Sequence, residues 1–150
     1  MSKKRSTRLA VVLRLADQSV QELVDRLQQQ QSALKKEKQQ LQQLRQYSDE
    51  YSKKLSTQTQ GLRAQDFIDS RIFLQRLVSL QTSQSTKIKH QDAVISQLTS
   101  LWKERYHRRN LIAELIQTLK NSENQTLEKQ LQKEIDELSN QKFFKNNRDE

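Results

Sequence analysis

The sequence predicts an all-α fold: a long two-helix antiparallel coiled-coil hairpin with a short C-terminal helix. Three observations predict it. The 150 residues contain no proline and a single glycine, Gly61, so the usual turn punctuation is almost absent. Apolar residues recur at alternating steps of three and four over most of the chain. Hydrophobic residues make up only 33% and charged residues 30%, which suits a narrow seam better than a compact globular core.

Helix one is expected over about residues 9–56. With Leu13 as heptad position a, the a series reads Leu13, Val20, Leu27, Leu34, Leu41, Ser48 and Leu55. The d series reads Leu9, Ala16, Leu23, Gln30, Glu37, Leu44 and Tyr51. Eleven of these fourteen are apolar or aromatic, a sustained coiled-coil pattern. Gln30 and Glu37 interrupt the seam, and polar core positions of this kind fix register at some cost in stability.

The turn is expected at about residues 57–64. Gly61 takes a positive φ without a Cβ clash, and Ser56, Thr57 and Thr59 compete for backbone hydrogen bonds through their hydroxyls. Helix two, about 65–120, resumes the period with a residues Leu74, Gln81, Ile88, Ile95, Trp102, Arg109 and Ile116. Its d residues are Leu77, Gln84, Gln91, Leu98, Arg105, Ile112 and Leu119. Asn121-Ser122-Glu123-Asn124 predicts a break, with Ser122 and Gln125 spaced as a capping box. A short helix over about 123–140 follows, carrying Leu127, Leu131, Ile135 and Leu138, and the tail from Phe143 is expected to fray. All of this forms one coiled-coil domain.

Folding the chain at the turn pairs residues whose numbers sum to about 122. In an antiparallel pair the g positions of both helices share one side. Gln40 and Tyr47 then lie beside Phe73 and Leu80, next to Leu44, Tyr51, Leu77 and Gln84 at d. Two helices with a narrow seam cannot bury aromatic residues outside it, and such contiguous apolar surface marks a partner site unless the seam is wide or the C-terminal helix packs over it.

Charge and chemistry exclude several functions. The net charge is +9, with the basic excess at the N-terminus and densest at Lys103, Arg105, Arg108 and Arg109. Nucleic acid, anionic lipid or an acidic protein surface would each answer that field, and so would plain solvation. With one glycine there is neither a phosphate-cradling loop nor a dinucleotide fingerprint. His90 and His107 have no acidic cluster beside them, and there is no cysteine to form a disulfide or thiolate site. The expectation is a protein that is not an enzyme and that takes no cofactor, metal or small-molecule substrate. The brief apolar run Leu9–Leu13, cut short by Arg14, is too short for a signal peptide, and no stretch reaches the roughly 20 apolar residues of a membrane span. A cytoplasmic location is expected.

Several segments resemble the flagellar export protein FliJ family. Leu44-Arg45-Gln46-Tyr47-Ser48-Asp49-Glu50-Tyr51 is similar to its L-x-x-Y-x-x-E-Y segment. Gly61-Leu62-Arg63-Ala64-Gln65 and Phe73-Leu74-Gln75-Arg76-Leu77 resemble its turn and F-L-x-x-L pieces. Trp102 with Arg108, Arg109 and Leu111 resembles its W-x-x-x-R-x-R-R-x-L stretch, with Arg105 one residue ahead of the pattern's first arginine. The likeness covers nearly the whole chain and departs from the family at Arg63, where a Ser or Thr cap is usual.

The resemblance implies a cytoplasmic stalk of the flagellar type III export apparatus, peripherally associated with the inner membrane and needed for flagellum assembly and motility. Its implied partners are the hexameric export ATPase, entered by the paired termini, the cytoplasmic domain of the export-gate membrane protein, and export chaperones. The implied gate-binding residues are Gln40, Leu44, Tyr47, Tyr51, Phe73, Leu77, Leu80 and Gln84, the same stripe that the register argument selects. An injectisome stalk shares the hairpin and the ATPase. A basic coiled coil that binds nucleic acid or serves as a scaffold explains charge and heptads but not an aromatic edge, so nucleic acid is the less favoured partner.

Overall fold

The heptad series become two helices. The computed structural model describes residues 4–57 and 63–149. Helix α1 spans Arg5–Thr57 and α2 spans Ala64–Arg148, and they pack antiparallel as an all-α hairpin. Every a and d residue named for the first helix is buried or half-buried. In the second helix the same holds for all but Arg105, which is exposed. Burial every three to four residues is what holds such long helices in water, because propensity alone does not.

The chain divides into two units, Gln21–Lys103 and Met1–Val20 with Glu104–Glu150. In the first, the seam is anchored by Leu23, Leu41, Leu77 and Ile88. Leu23, at 1% exposure, is the most completely enclosed of them. Burying each such side chain contributes about 1.5–3 kcal/mol. Cross-helix pairs in this unit, Tyr47–Phe73, Tyr51–Ser70, Tyr51–Phe73, Glu37–Gln84 and Glu37–Lys87, sum to between 120 and 124, around the predicted 122.

In the second unit, Ile116 fills the seam and Ser6 is 4% exposed. Ser6 donates its hydroxyl to Glu123 Oε2 at 2.6 Å and its amide to Oε1 at 3.3 Å. Beyond Glu123 every described residue is exposed. The reason lies in chain length: α1 supplies 53 residues and α2 85, so the end of α2 has no α1 residues left to pair with.

Three expectations need correction. The break at Asn121–Asn124 does not occur, and the segment expected as a separate helix over 123–140 is a continuation of α2. Asn and Ser cost only a few tenths of a kcal/mol each relative to better helix formers, far less than a proline, and Glu123 is held in the seam by Ser6. The tail from Phe143 is likewise helical as far as Arg148. Helix α1 also begins earlier than residue 9, at Arg5. The turn centred on Gly61 lies outside the described residues. Where the chain emerges from it, the Arg63 carbonyl accepts the first helical hydrogen bond from Phe67 N–H at 3.1 Å, and Asp66 places a negative charge in the first turn.

Candidate functional site

In the Gln21–Lys103 unit, the antiparallel register brings Tyr47 and Tyr51 from α1 against Phe73 from α2. The Tyr47 and Phe73 rings meet edge-to-face with centroids 6.3 Å apart, and Tyr51 meets Phe73 at 5.0 Å. Such edge-to-face contacts are worth about 0.5–1.5 kcal/mol beyond the area buried. Tyr51 is half-buried and donates its hydroxyl to Ser70 Oγ at 3.3 Å. Tyr47 remains 52% exposed, and Phe73 is exposed as well. The trio is therefore held rigid from the seam side and open to solvent on the other.

The remaining candidates divide by exposure. Gln40 and Leu80 are exposed and Leu44 is half-buried. Gln40, Gln43, Leu44 and Tyr47 line a shallow depression of about 400 Å³ beside the aromatic trio. Leu77, in contrast, is 5% exposed and packs inside the seam. Gln84 is half-buried and committed across the seam, donating Nε2 to the Glu37 carbonyl at 3.1 Å and to Glu37 Oε2.

Glu37 is the centre of a polar step in that seam. Its Oε1 pairs with Lys87 Nζ at 2.9 Å, and its side chain is only 16% exposed. The Lys87 hydrogen bond, followed by that from Gln84, holds the Glu37 carboxyl below its ordinary value. Gln91, also at d, has its Oε1 buried without a hydrogen-bond partner among the described residues.

The unit formed by the chain ends carries a different surface. Arg109 Nε pairs with Asp17 Oδ1 at 2.6 Å, and Arg105 Nη1 donates to Ser19 Oγ at 2.8 Å. Val12, Leu15, Ile112, Arg105 and Arg108 line a groove of about 240 Å³ between the helices. Arg105 and Arg108 have no carboxylate partner within ion-pair distance among the described residues. Ser6 and Glu123 escaped the sequence reading, although both continue the a series by one heptad, below Leu13 and above Ile116.

His90 and His107 are exposed. Among the described residues no group of three or more His, Asp or Glu side chains is placed to hold a metal ion. No helix there is long and apolar enough to cross a membrane.

No curated protein and no solved structure matches the chain. The sequence model of the flagellar FliJ protein does match it, over residues 4–148 of 150. That span takes in both helices, the aromatic trio and the basic groove. The chain is thus a member of the flagellar FliJ protein family, a component of flagellar type III export.

Proposed function

We propose that this chain acts as the stalk that couples the export ATPase to the export gate. In this reading the edge formed by Gln40, Leu44, Tyr47, Tyr51, Phe73 and Leu80 binds the cytoplasmic domain of the export-gate membrane protein. Leu77 and Gln84 serve the same edge from within the seam, holding its backbone in register. The end carrying Val12, Leu111, Leu115 and the arginines meets the hexameric export ATPase ring, and export chaperones are further partners. The chain itself performs no catalysis. It works in the cytoplasm against the inner membrane, and flagellum assembly and motility depend on it.

The observation that carries the gate reading is the aromatic trio. Tyr47 and Phe73 remain exposed although each already has a ring partner. Exposed aromatic residues beside a shallow apolar depression are the kind of surface on which binding energy concentrates. Family membership supports the class of partner. The test is a calorimetric titration of the gate's cytoplasmic domain with the parent and with Tyr47→Ala and Phe73→Ala, paired with swimming assays of strains carrying each variant. Loss of both binding and motility supports the reading. Unchanged binding by both variants refutes it.

A further inference from the structure

Two features of the unit formed by the chain ends are exposed, and they are complementary. The first is on the paired part of α2: Leu115 and Leu111, exposed at 49% and 51%, lead back to the exposed Arg108 and Arg105. Arg108 and Arg105 rim the groove floored by Val12, Leu15 and Ile112. The second is on the unpaired part of α2. There Leu127 and Leu131, exposed at 49% and 50%, lead forward to the exposed Glu134 and Glu137.

The spacing is the same in both. From Leu127 the steps are four, three and three residues to Leu131, Glu134 and Glu137. From Leu115, read backwards, they are four, three and three to Leu111, Arg108 and Arg105. An antiparallel helix pair whose numbers sum to 242 therefore sets Leu127 against Leu115 and Leu131 against Leu111. The same register sets Glu134 against Arg108 and Glu137 against Arg105. Charge follows the same division, with five bases and seven acids in residues 121–150 against ten bases and five acids in residues 63–120.

We propose that the acidic apolar stripe of one copy docks antiparallel on the arginine-rimmed groove of a second copy. The stripe cannot reach the groove of its own chain, because α2 runs through residues 121–124 without a break. At about 3.6 residues per turn the two stripes fall on different faces of α2, so one copy can donate a stripe and receive another at once. That is a heterologous contact, and association grows with concentration instead of closing at a fixed pair. The inference uses only this unit's residues and does not rest on the ATPase reading. If the ring also docks on this end, self-association competes with it.

The test uses the purified full chain alone. Sedimentation velocity over a concentration series should show the parent's mass rising. Arg105→Glu with Arg108→Glu, and separately Glu134→Arg with Glu137→Arg, should each raise the concentration needed by at least about tenfold, because each sets like charges opposite one another. An equimolar mixture of the two variants restores opposite signs and should associate again.

Because the chain has no cysteine, Leu111→Cys protein mixed with Leu131→Cys protein should form an interchain disulfide on mild oxidation. A parent that stays at monomer mass throughout overturns the proposal. So does a mixture that fails to associate, an absent 111–131 crosslink, or a doubly substituted chain that closes the bond within itself. Circular dichroism on every variant separates lost docking from lost folding.

Discussion

Glu123 of α2 takes both the amide and the hydroxyl of Ser6 in the first turn of α1, at 3.3 and 2.6 Å. Helix α1 has no acidic residue of its own in that turn. Its unpaired amide donors and positive dipole end are therefore answered by a carboxylate from the other helix, as a side-chain cap would answer them. The contact also marks the last a position at which α2 still has α1 beside it.

That relationship predicts a pH dependence. The Ser6 hydroxyl bond holds the Glu123 carboxyl below its ordinary value, with the Ser6 amide and the nearby Lys4 and Lys120 acting in the same direction. A depressed folded value means the contribution is full above the unfolded glutamate value, roughly 4.3. It is lost as pH falls through the lower folded value. Melting curves of the parent and Glu123→Gln should differ at pH 7 and draw together as pH falls below the unfolded glutamate value. A difference that stays constant down to pH 3 contradicts the assignment.

The seam predicts that leucines of one chemistry differ sharply in weight. Leu23 is 1% exposed and Leu138 60%. Leu23→Ala should lose about 2–5 kcal/mol, transfer and cavity terms combined. Leu138→Ala, on the unpaired part of α2, should change stability by less than about 0.5 kcal/mol. Urea denaturation of both, at a concentration low enough to avoid self-association, gives the comparison. Equal losses contradict the register.

Gln91 predicts a gain. Its Oε1 is buried without a hydrogen-bond partner among the described residues, and such an orphan costs about 1–3 kcal/mol. Gln91→Leu replaces it with the residue type a d position favours. Thermal unfolding should show a higher midpoint with unchanged helicity. A lower midpoint would mean the amide is satisfied by water.

The hairpin, its seam and its register were legible because each rests on periodicity, which a single sequence carries in full. The edge is legible for the same reason: g positions on two antiparallel helices share a side, so the heptad alone sets Tyr47 beside Phe73, where their rings meet. What the sequence did not yield was the division of labour within that edge. Leu77 and Gln84 share a heptad position with Leu44 and Tyr51, and only the structure separates a buried leucine and a glutamine bound to Glu37 from surface open to solvent. Asn121–Asn124 stays helical because its residues are only weak helix formers, and no proline or glycine stands there to enforce a stop. The Ser6–Glu123 contact was hidden because a serine and a glutamate at a positions do not look like core, although their spacing placed them there.

The central claim is that the exposed aromatic edge binds the export gate, and a double-mutant cycle at Tyr47 and Phe73 tests it most directly. Each alanine variant should keep its helicity and lose only the ring contacts it removes, about 0.5–1.5 kcal/mol for the one made by Tyr47 and up to about twice that for the two made by Phe73. Each should weaken binding to the gate's cytoplasmic domain by about 2 kcal/mol, the scale of an interface hot spot. The two losses should not add, since the rings touch at 6.3 Å and share one contact surface. Titration of the parent, both single variants and the double variant supplies the four affinities. Coupled losses on intact folds are the predicted result; parental affinity in both single variants contradicts the account.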